Sequence, residues 1–297
     1  MAISVQEKKT PSAITLKDYK VNIRPNWCPG CGDFSVLMAL QKSLTALQLN
    51  PKDVAVVAGI GCSGRISGYL NAYGFHSLHG RALATAQGIK LANPELTVIA
   101  AGGDGDAFAI GMSQTIHAMR RNMDITYIVM DNQVYGLTKG QTSPRSSEGF
   151  KTSSTPYGSV EQPVHPVQLA LSANATFIAQ GFSSEQDELQ ELIRKAIEHK
   201  GFSLVNVFSP CVTYNKVNTY DWFRQHVVQL PETYDPHDKG AALQAVHDTN
   251  GLCLGVIYEE DRPPYDELIP GYAHKPYFHA DLQLPTELFE EAMAEFQ

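Results

Sequence analysis

Residues 97–106, TVIAAGGDGD, join a short apolar run to a turn of small and acidic residues, and a helical pattern with Phe108, Ile116 and Met119 on one side follows. An apolar strand that ends in glycine and opens a helix is the repeating unit of an α/β sheet. The same rhythm recurs in VAVVAG at Val54, ITYIVMD at Ile125, TFIAQ at Thr176 and FSLVNVF at Phe202. These runs are too continuously apolar for a sheet wetted on one face, which predicts a mostly parallel, doubly wound sheet covered on both. Two stretches carry helical spacing: Phe34, Leu37, Leu40, Leu44 and Leu47, then Leu189, Leu192, Ile193, Ala196 and Ile197. Ser184 is placed to cap the second at its start and Gly201 at its end, after His199 and Lys200.

The chain has 297 residues, 43% of them hydrophobic, enough to build a real core in one large domain or two modest ones. A net charge of −8 leaves no basic footprint for a phosphate backbone, so nucleic acid is not an expected partner. The first twenty residues lack the apolar core of a signal peptide and no later run approaches bilayer-spanning length, which predicts a soluble, cytoplasmic protein with no membrane partner. Residues 1–24 read as an N-terminal segment, 25–211 as the main domain and 212–297 as a C-terminal extension. After Cys211 aromatic residues and prolines crowd in, with one helix candidate near Ala241 and one strand candidate at Cys253. This predicts an irregular arm lying over its own domain or over a partner chain. Residues 135–164, rich in Gly, Ser, Thr and Pro, are too long for a mere connector and read as a functional, lid-like loop.

The turn Gly102-Gly103-Asp104-Gly105-Asp106 has the form of an anion site, because glycines admit a diphosphate and a helix N-terminus favours its charge. A carboxylate beside a diphosphate is repelled unless a divalent cation bridges them, and Asp104 therefore points to magnesium. Asn132, 28 positions on and after the next strand, can supply a side-chain oxygen, and Val134 a backbone carbonyl. Taken alone, Asp104 and Asp106 could equally cap a helix; with Asn132 the metal reading is favoured. Gly103-Asp104-Gly105 followed by Asn132 resembles the motif of thiamine-diphosphate enzymes. That family often has two consecutive Asn where this chain has Asp131-Asn132.

Five cysteines cannot all pair. Cys28 and Cys31 form a CxxC, Cys62 and Cys211 each follow an apolar strand, and Cys253 stands apart. Four thiolates from one sheet edge suit zinc or an iron–sulfur cluster, whereas a redox CxxC would leave Cys62 and Cys211 unexplained. Beside a thiamine site a cluster has a task, taking up electrons, and zinc has no evident one, which favours [4Fe–4S].

WCPGCGDF at Trp27, GIGCSGR at Gly59, GDGD at Gly103 and SPC at Ser209 together resemble the β subunit of 2-oxoacid:ferredoxin oxidoreductases, in order and from about Pro25 to Cys211. The resemblance implies a sheet of the thiamine-diphosphate-binding type and one [4Fe–4S] cluster on Cys28, Cys31, Cys62 and Cys211. It implies Mg2+ on Asp104, Asn132 and Val134, with Gly61, Cys62, Ser63, His79, Gly103, Gly105 and Asp106 around the cofactor. The stretch Tyr135-Gly-Leu137-Thr138-Lys139-Gly-Gln141 is similar to the 2-oxoglutarate-type and broad-range members, where Lys139 would meet a second carboxylate and Leu137 and Thr138 line the substrate. Without the resemblance Lys139 reads as a solvated loop lysine. Arg65 serves substrate, diphosphate or partner contact, and His79 either assists proton movement or caps its turn.

The implied reaction is oxidative decarboxylation of 2-oxoglutarate with coenzyme A to succinyl-CoA, CO2 and reduced ferredoxin, or its reverse. In the family the thiamine-activating glutamate lies on the α subunit, so the expectation is an αβ or (αβ)2 assembly with this chain inactive alone. Two other classes compete: a non-redox thiamine-dependent lyase, which has no use for four convergent cysteines, and a zinc-stabilised, non-catalytic assembly subunit, for which the diphosphate motif is redundant.

Overall fold

The computed structural model describes residues 13–270, 283 and 285–296. The start of the N-terminal segment, residues 1–12, and residues 271–282 of the C-terminal extension lie outside them. Eight strands, β1 (Val54–Ala58), β2 (Tyr73–His76), β3 (Thr97–Gly103), β4 (Ile125–Asp131), β5 (Phe177–Phe182), β6 (Phe202–Phe208), β7 (Val228–Gln229) and β8 (Cys253–Glu259), form one sheet in the order β2-β1-β3-β4-β6-β5-β8-β7. Every pairing is parallel except β5 with β8. The five strands expected from apolar runs are all present, and every residue of β1, β4, β5 and β6 is buried, as a sheet covered on both faces requires.

The helices divide between the faces. On one lie α1 (Asp33–Ala46) and, later in the chain, a thirteen-residue helix at Gln186–Glu198, which press Val36, Leu40, Leu44, Leu189 and Ile193 onto Val56, Ile99, Ile128 and Val205. On the other lie α2 (Ala82–Ala92), α3 (Met112–Arg121) and α4 (Pro166–Ser172), and a helix at Lys239–Asp248, which bury Leu83, Met119, Leu171 and Val246 against Val57, Val129 and Leu204. Counting on, α5 is Gln186–Glu198, α6 is Tyr220–His226 and α7 is Lys239–Asp248.

Some local expectations are corrected. Phe34 is 37% exposed, because it sits at the first turn of α1 and packs edge-on against Trp27 outside the core; Leu47 falls just beyond the helix. Ser184 does not cap α5: its hydroxyl accepts from Arg224, and the helix starts after Glu185 with no side-chain cap. The helix ends at Glu198, and Gly201, at φ +124°, instead turns the chain into β6. The segment after Cys211 is irregular only in part. The helix near Ala241 and the strand at Cys253 are α7 and β8, and β8 joins the sheet beside β5. Among the described residues no helix is long and apolar enough to cross a membrane.

At the end of the sheet opposite the glycine-rich turns, Asn122 ends α3 in the left-handed conformation (φ +53°), which Asn tolerates better than most residues. Its Oδ1 accepts from the Thr176 hydroxyl (2.6 Å) and the Phe202 amide (2.8 Å), and its Nδ2 donates to the Arg262 and Pro263 carbonyls. One buried amide thus joins β5, β6 and the segment after β8. Replacing it strands several buried partners and forces a Cβ-bearing residue to keep a positive φ. We expect Asn122→Ala to cost about 3 kcal/mol, seen as a lowered Tm or denaturation midpoint, with the cleft at the far end of the sheet unaltered.

Candidate functional site

β1 and β3 are neighbours, but the chain leaves β1 towards β2 on one side and leaves β3 towards β4 on the other. Their C-terminal ends therefore diverge and open a crevice, the place where doubly wound sheets bind ligands. A cleft of about 490 Å³, counting its open mouth, lies there. Ile60, Gly61, Cys62 and Ser63 wall it after β1, Gly103, Asp104, Gly105 and Asp106 after β3, and Asn132, Val134 and Tyr135 after β4, with His79, Gly136, Leu137 and Thr138 completing the lining. A wider depression lined by Arg65, Ser67, Tyr69, His76 and Leu137 adjoins it and shares Ile60 and Gly61.

Asp104 is fully enclosed. Burial, and then the neighbouring Asp131, hold its carboxyl well above the usual carboxylate range, against the Ser143 hydroxyl that donates to its Oδ2 at 2.5 Å. Asp131 is also buried; its Oδ2 accepts from Arg145 Nε (2.8 Å) and its Oδ1 has no hydrogen-bond partner. Two buried carboxylates thus face one guanidinium, a deficit that a cation at Asp104 would offset. Gln133, at φ +58°, bends the chain after β4 so that Asn132 Oδ1 accepts from the Val134 amide (3.1 Å). Oxygens of a carboxylate, an amide and a backbone carbonyl are the donor set of a hard divalent cation. The approach to it is kept narrow: a Cβ on Gly105 would stand 2.2 Å from the Tyr135 ring, whose hydroxyl donates to the Gly105 carbonyl.

Asp106 acts differently from Asp104. Its Oδ1 accepts from the Ile60 amide (3.0 Å), the Gly80 amide (2.8 Å) and His79 Nδ1 (2.6 Å), fastening three loops together. A carboxylate only accepts, so His79 Nδ1 carries the proton and Nε2 is the nitrogen left for the cleft that His79 lines.

The four strand-edge cysteines are free thiols and lie within electrostatic reach of one another: Cys31 senses Cys211 and Cys62, and Cys62 senses Cys211 and Cys28. Burial first, then Asp33, pushes the Cys31 thiol well above its ordinary range and Cys62 up to about 11. Such thiols ionise only against a positive centre. A Cβ on Gly136 would stand 3.5 Å from Cys211 Sγ and 3.7 Å from Cys62 Sγ, which places both sulfurs beside this loop. Trp27 Nε1 donates to the Cys62 carbonyl (2.7 Å), pinning the CxxC segment to the loop after β1. Among the described residues no three His, Cys, Asp or Glu side chains are close enough to share a single metal ion. A multi-iron cluster takes its thiolates at separate corners, so the two donor sets fit different groups: this one a cluster, the oxygens at Asp104 a lone cation. Buried Cys253, on β8, lies apart.

Lys139 is exposed and outside the lining, while its neighbours Leu137 and Thr138 are within it. It adopts φ +77° in a tight turn where its amide donates to the Gly136 carbonyl and Tyr135 pairs with Gln141. Arg65 stands in the adjoining depression. The long loop is no free lid: Ser143, Arg145 and Ser146 are buried beneath the cleft, Ser146 donating to the Gln133 carbonyl and Arg145 to that of Val164. Ser143, Arg145, Asp131 and Asp33 carry much of the site's electrostatics and bear no spacing signature. Only the position of Asp33 inside CxxCxD, and of Asp131 beside Asn132, offered a signal.

Residues 59–207 match the family model described as thiamine pyrophosphate enzyme, C-terminal TPP binding domain, and residues 211–274 match that of the C-terminal part of the pyruvate ferredoxin oxidoreductase beta subunit. The chain is 40% identical to the 2-oxoacid:ferredoxin oxidoreductase subunit beta of Saccharolobus solfataricus, over 91% of this chain and 96% of that one. It is 42% identical to the 2-oxoglutarate synthase subunit KorB of Methanocaldococcus jannaschii, over 81% and 90%. A solved 2-oxoglutarate:ferredoxin oxidoreductase from Magnetococcus marinus, with 2-oxoglutarate, coenzyme A and succinyl-CoA bound, superposes with a TM-score of 0.89 at 37% identity, covering 97% of this chain and 99% of that one. A thiamine-diphosphate cleft at the sheet's switch point, backed by four clustered thiols and matched along nearly the whole chain, places this protein among the β subunits of the 2-oxoacid:ferredoxin oxidoreductases.

Proposed function

We propose that this chain is the cofactor-binding and electron-transfer subunit of a cytoplasmic 2-oxoglutarate:ferredoxin oxidoreductase. The overall reaction is 2-oxoglutarate + CoA + 2 oxidised ferredoxin → succinyl-CoA + CO2 + 2 reduced ferredoxin + H+, run in either direction. The observation that carries the reading is a shared wall: Cys62 and Gly136 line the cleft, and Gly136 also packs against the sulfurs of Cys62 and Cys211. A site for carbon chemistry and a site for electrons are thereby separated by one loop's backbone.

Asp104, Asn132 and the Val134 carbonyl would hold Mg2+ against the diphosphate, and Cys28, Cys31, Cys62 and Cys211 a [4Fe–4S] cluster. Bound there, thiamine diphosphate supplies the carbon nucleophile and electron sink for decarboxylation, and the cluster a one-electron acceptor. The protein's own part is positioning. Gly103, Gly105, Gly61 and Ser63 let the backbone approach the diphosphate. His79, oriented by Asp106, offers Nε2 to the cleft to hold a proton. Leu137 and Thr138 bound the substrate, whose distal carboxylate Lys139 meets. A lysine held at positive φ costs about 1 kcal/mol, and such strain is retained where the placement of the side chain matters. Arg65 faces the adjoining depression, where a second anionic group would approach.

Exposed apolar side chains stand near His79 at the cleft, Leu78 beside it in the chain and Ile110 against Gly80, with Phe75 on the edge strand β2. This surface suits an α subunit, which would also bring the thiamine-activating glutamate, giving an αβ or (αβ)2 assembly.

The test is anaerobic co-purification with the α subunit followed by iron and zinc analysis and a ferredoxin-reduction assay with 2-oxoglutarate and coenzyme A. Zinc in place of iron, or turnover without ferredoxin, overturns the reading. Lys139→Ala should raise KM for 2-oxoglutarate roughly tenfold and leave that for a monocarboxylic 2-oxoacid within about twofold; equal losses would make its role structural. Cys62→Ala should abolish the broad visible absorption of the cluster and its iron, while an unaltered spectrum removes Cys62 from the ligand set. Asp104→Asn should abolish Mg2+-dependent thiamine diphosphate binding, measured by titration calorimetry, without loss of iron.

A further inference from the structure

Residues 143–146, Ser-Pro-Arg-Ser, form a turn packed beneath the cleft. The Ser146 amide closes it by donating to the Ser143 carbonyl (3.1 Å), and Pro144 stands second, where its fixed φ favours such a bend. Ser143 and Ser146 are buried, and each hydroxyl accepts from an amide of the turn itself: Ser143 Oγ from Arg145 (3.2 Å), Ser146 Oγ from Ser143 (2.9 Å). A hydroxyl has one proton, so both are left to donate outward. Ser143 donates to Asp104 Oδ2 and Ser146 to the Gln133 carbonyl (2.7 Å), while Arg145 Nε donates to Asp131 Oδ2 (2.8 Å). Asp104 follows β3, whereas Asp131 and Gln133 bracket Asn132 at the end of β4. One short turn thus holds both loops from which the oxygens for a cation would come. Gln133 keeps φ +58°, a conformation that persists in a residue with a side chain only where its surroundings impose it. The bond to its carbonyl is such a constraint, and it acts between Asn132 and Val134.

We propose, on the cation reading given under Proposed function, that the turn from Ser143 to Ser146 fixes the separation of the two halves of that site and so selects a small divalent ion. Mg2+ requires oxygens at about 2.0–2.1 Å in near-ideal octahedral geometry, whereas Ca2+ accepts them at about 2.3–2.6 Å with looser angles. A site whose halves lie on separate loops meets the first demand only when both loops are held. Groups that hydrogen-bond to ligands from behind supply that restraint. The turn needs its hydroxyls as acceptors for its own buried amides; the two outward protons serve Asp104 and Gln133 instead. Ser143 and Ser146 act through those neighbours and are positioning residues, not catalytic ones.

The experiment compares the αβ complex with its S143A and S146A forms, each freed of cation and thiamine diphosphate by chelation and dialysis. Mg2+ and, separately, Ca2+ are titrated by calorimetry with thiamine diphosphate in excess, and the Tm of each cofactor-free complex is recorded. The expected result is a Mg2+ affinity lower by roughly ten- to a hundredfold in each variant, with Ca2+ affinity within about threefold of that of the unaltered complex. An unchanged or increased preference for Mg2+ over Ca2+, whether or not the Tm falls, overturns the proposal and leaves the cation reading intact. Binding of thiamine diphosphate to the unaltered complex without any divalent cation overturns both. Should S143A not assemble, S146A, which takes no partner from a carboxyl group, is decisive by the same ratio; failure of both to assemble overturns the selecting role and makes the turn a requirement of the fold.

Discussion

Parallel pairing places Ala58 beside Ala101, Gly103 beside Met130 and Asp131 beside Phe208. Those registers bring four neighbouring strands to an end nearly level, and the site follows from that constraint. Four loops that are far apart in sequence begin in the same plane: one carries Gly61 to Ser63, one Asp104 to Asp106, one Asn132 to Val134 and one Ser209 to Cys211. A slip of one residue in any pairing would turn every side chain of that strand to the other face and withdraw its loop from the rim. The continuous apolar runs that make β1, β4 and β6 buried on both sides therefore also fix where the polar chemistry can stand.

Electrostatics then divides the acidic turn. Asp106 takes three donors on its Oδ1, while its buried Oδ2 has no hydrogen-bond partner, and it acts as a bracket between loops. Asp104 has a single hydroxyl donor and a second buried carboxylate, Asp131, at its back, shared with Arg145. The same arrangement ties the long loop to the turn, because Ser143 and Arg145 lie only a few residues beyond Lys139. A cation that drew Asp104 into the cleft would act, through Ser143, on the segment that carries Lys139. The loop that looks like an independent lid from its composition is anchored at Ser143 and Arg145 to the buried Asp104 and Asp131.

The sequence made the sheet legible because buried parallel strands carry their signal in a few consecutive residues, as at Ile125 and Phe202. Asp104 and Asn132, which the structure brings to one cleft, and the four cysteines stood out because the chemistry proposed for them demands particular side chains at such places. Ser143 and Arg145 were invisible for the opposite reason: their role depends on a loop folding back under the cleft, and a Ser and an Arg among glycines and prolines carry no period. The edge strand β2, with all four residues exposed, has neither an apolar run nor an alternation to betray it. Ser184 had the chemistry of a cap but was drawn to Arg224 by tertiary structure, and Phe34 kept helical spacing while facing Trp27 and solvent.

The two proposed redox sites meet at Gly136. At Gly136 an added Cβ would make ordinary van der Waals contact with the sulfurs of Cys211 (3.5 Å) and Cys62 (3.7 Å), while the residue also lines the cleft. An electron leaving the cleft would have only this wall to cross, so its direction of travel is governed by relative energies more than by distance. The carboxyls nearest the two sites are held out of water: Asp33 beside the thiols, and Asp104 and Asp131 beside the cleft. The side exposed to solvent is the mouth, with Leu78 and Ile110 near His79. A covering chain there would exclude water and strengthen every one of these interactions at once.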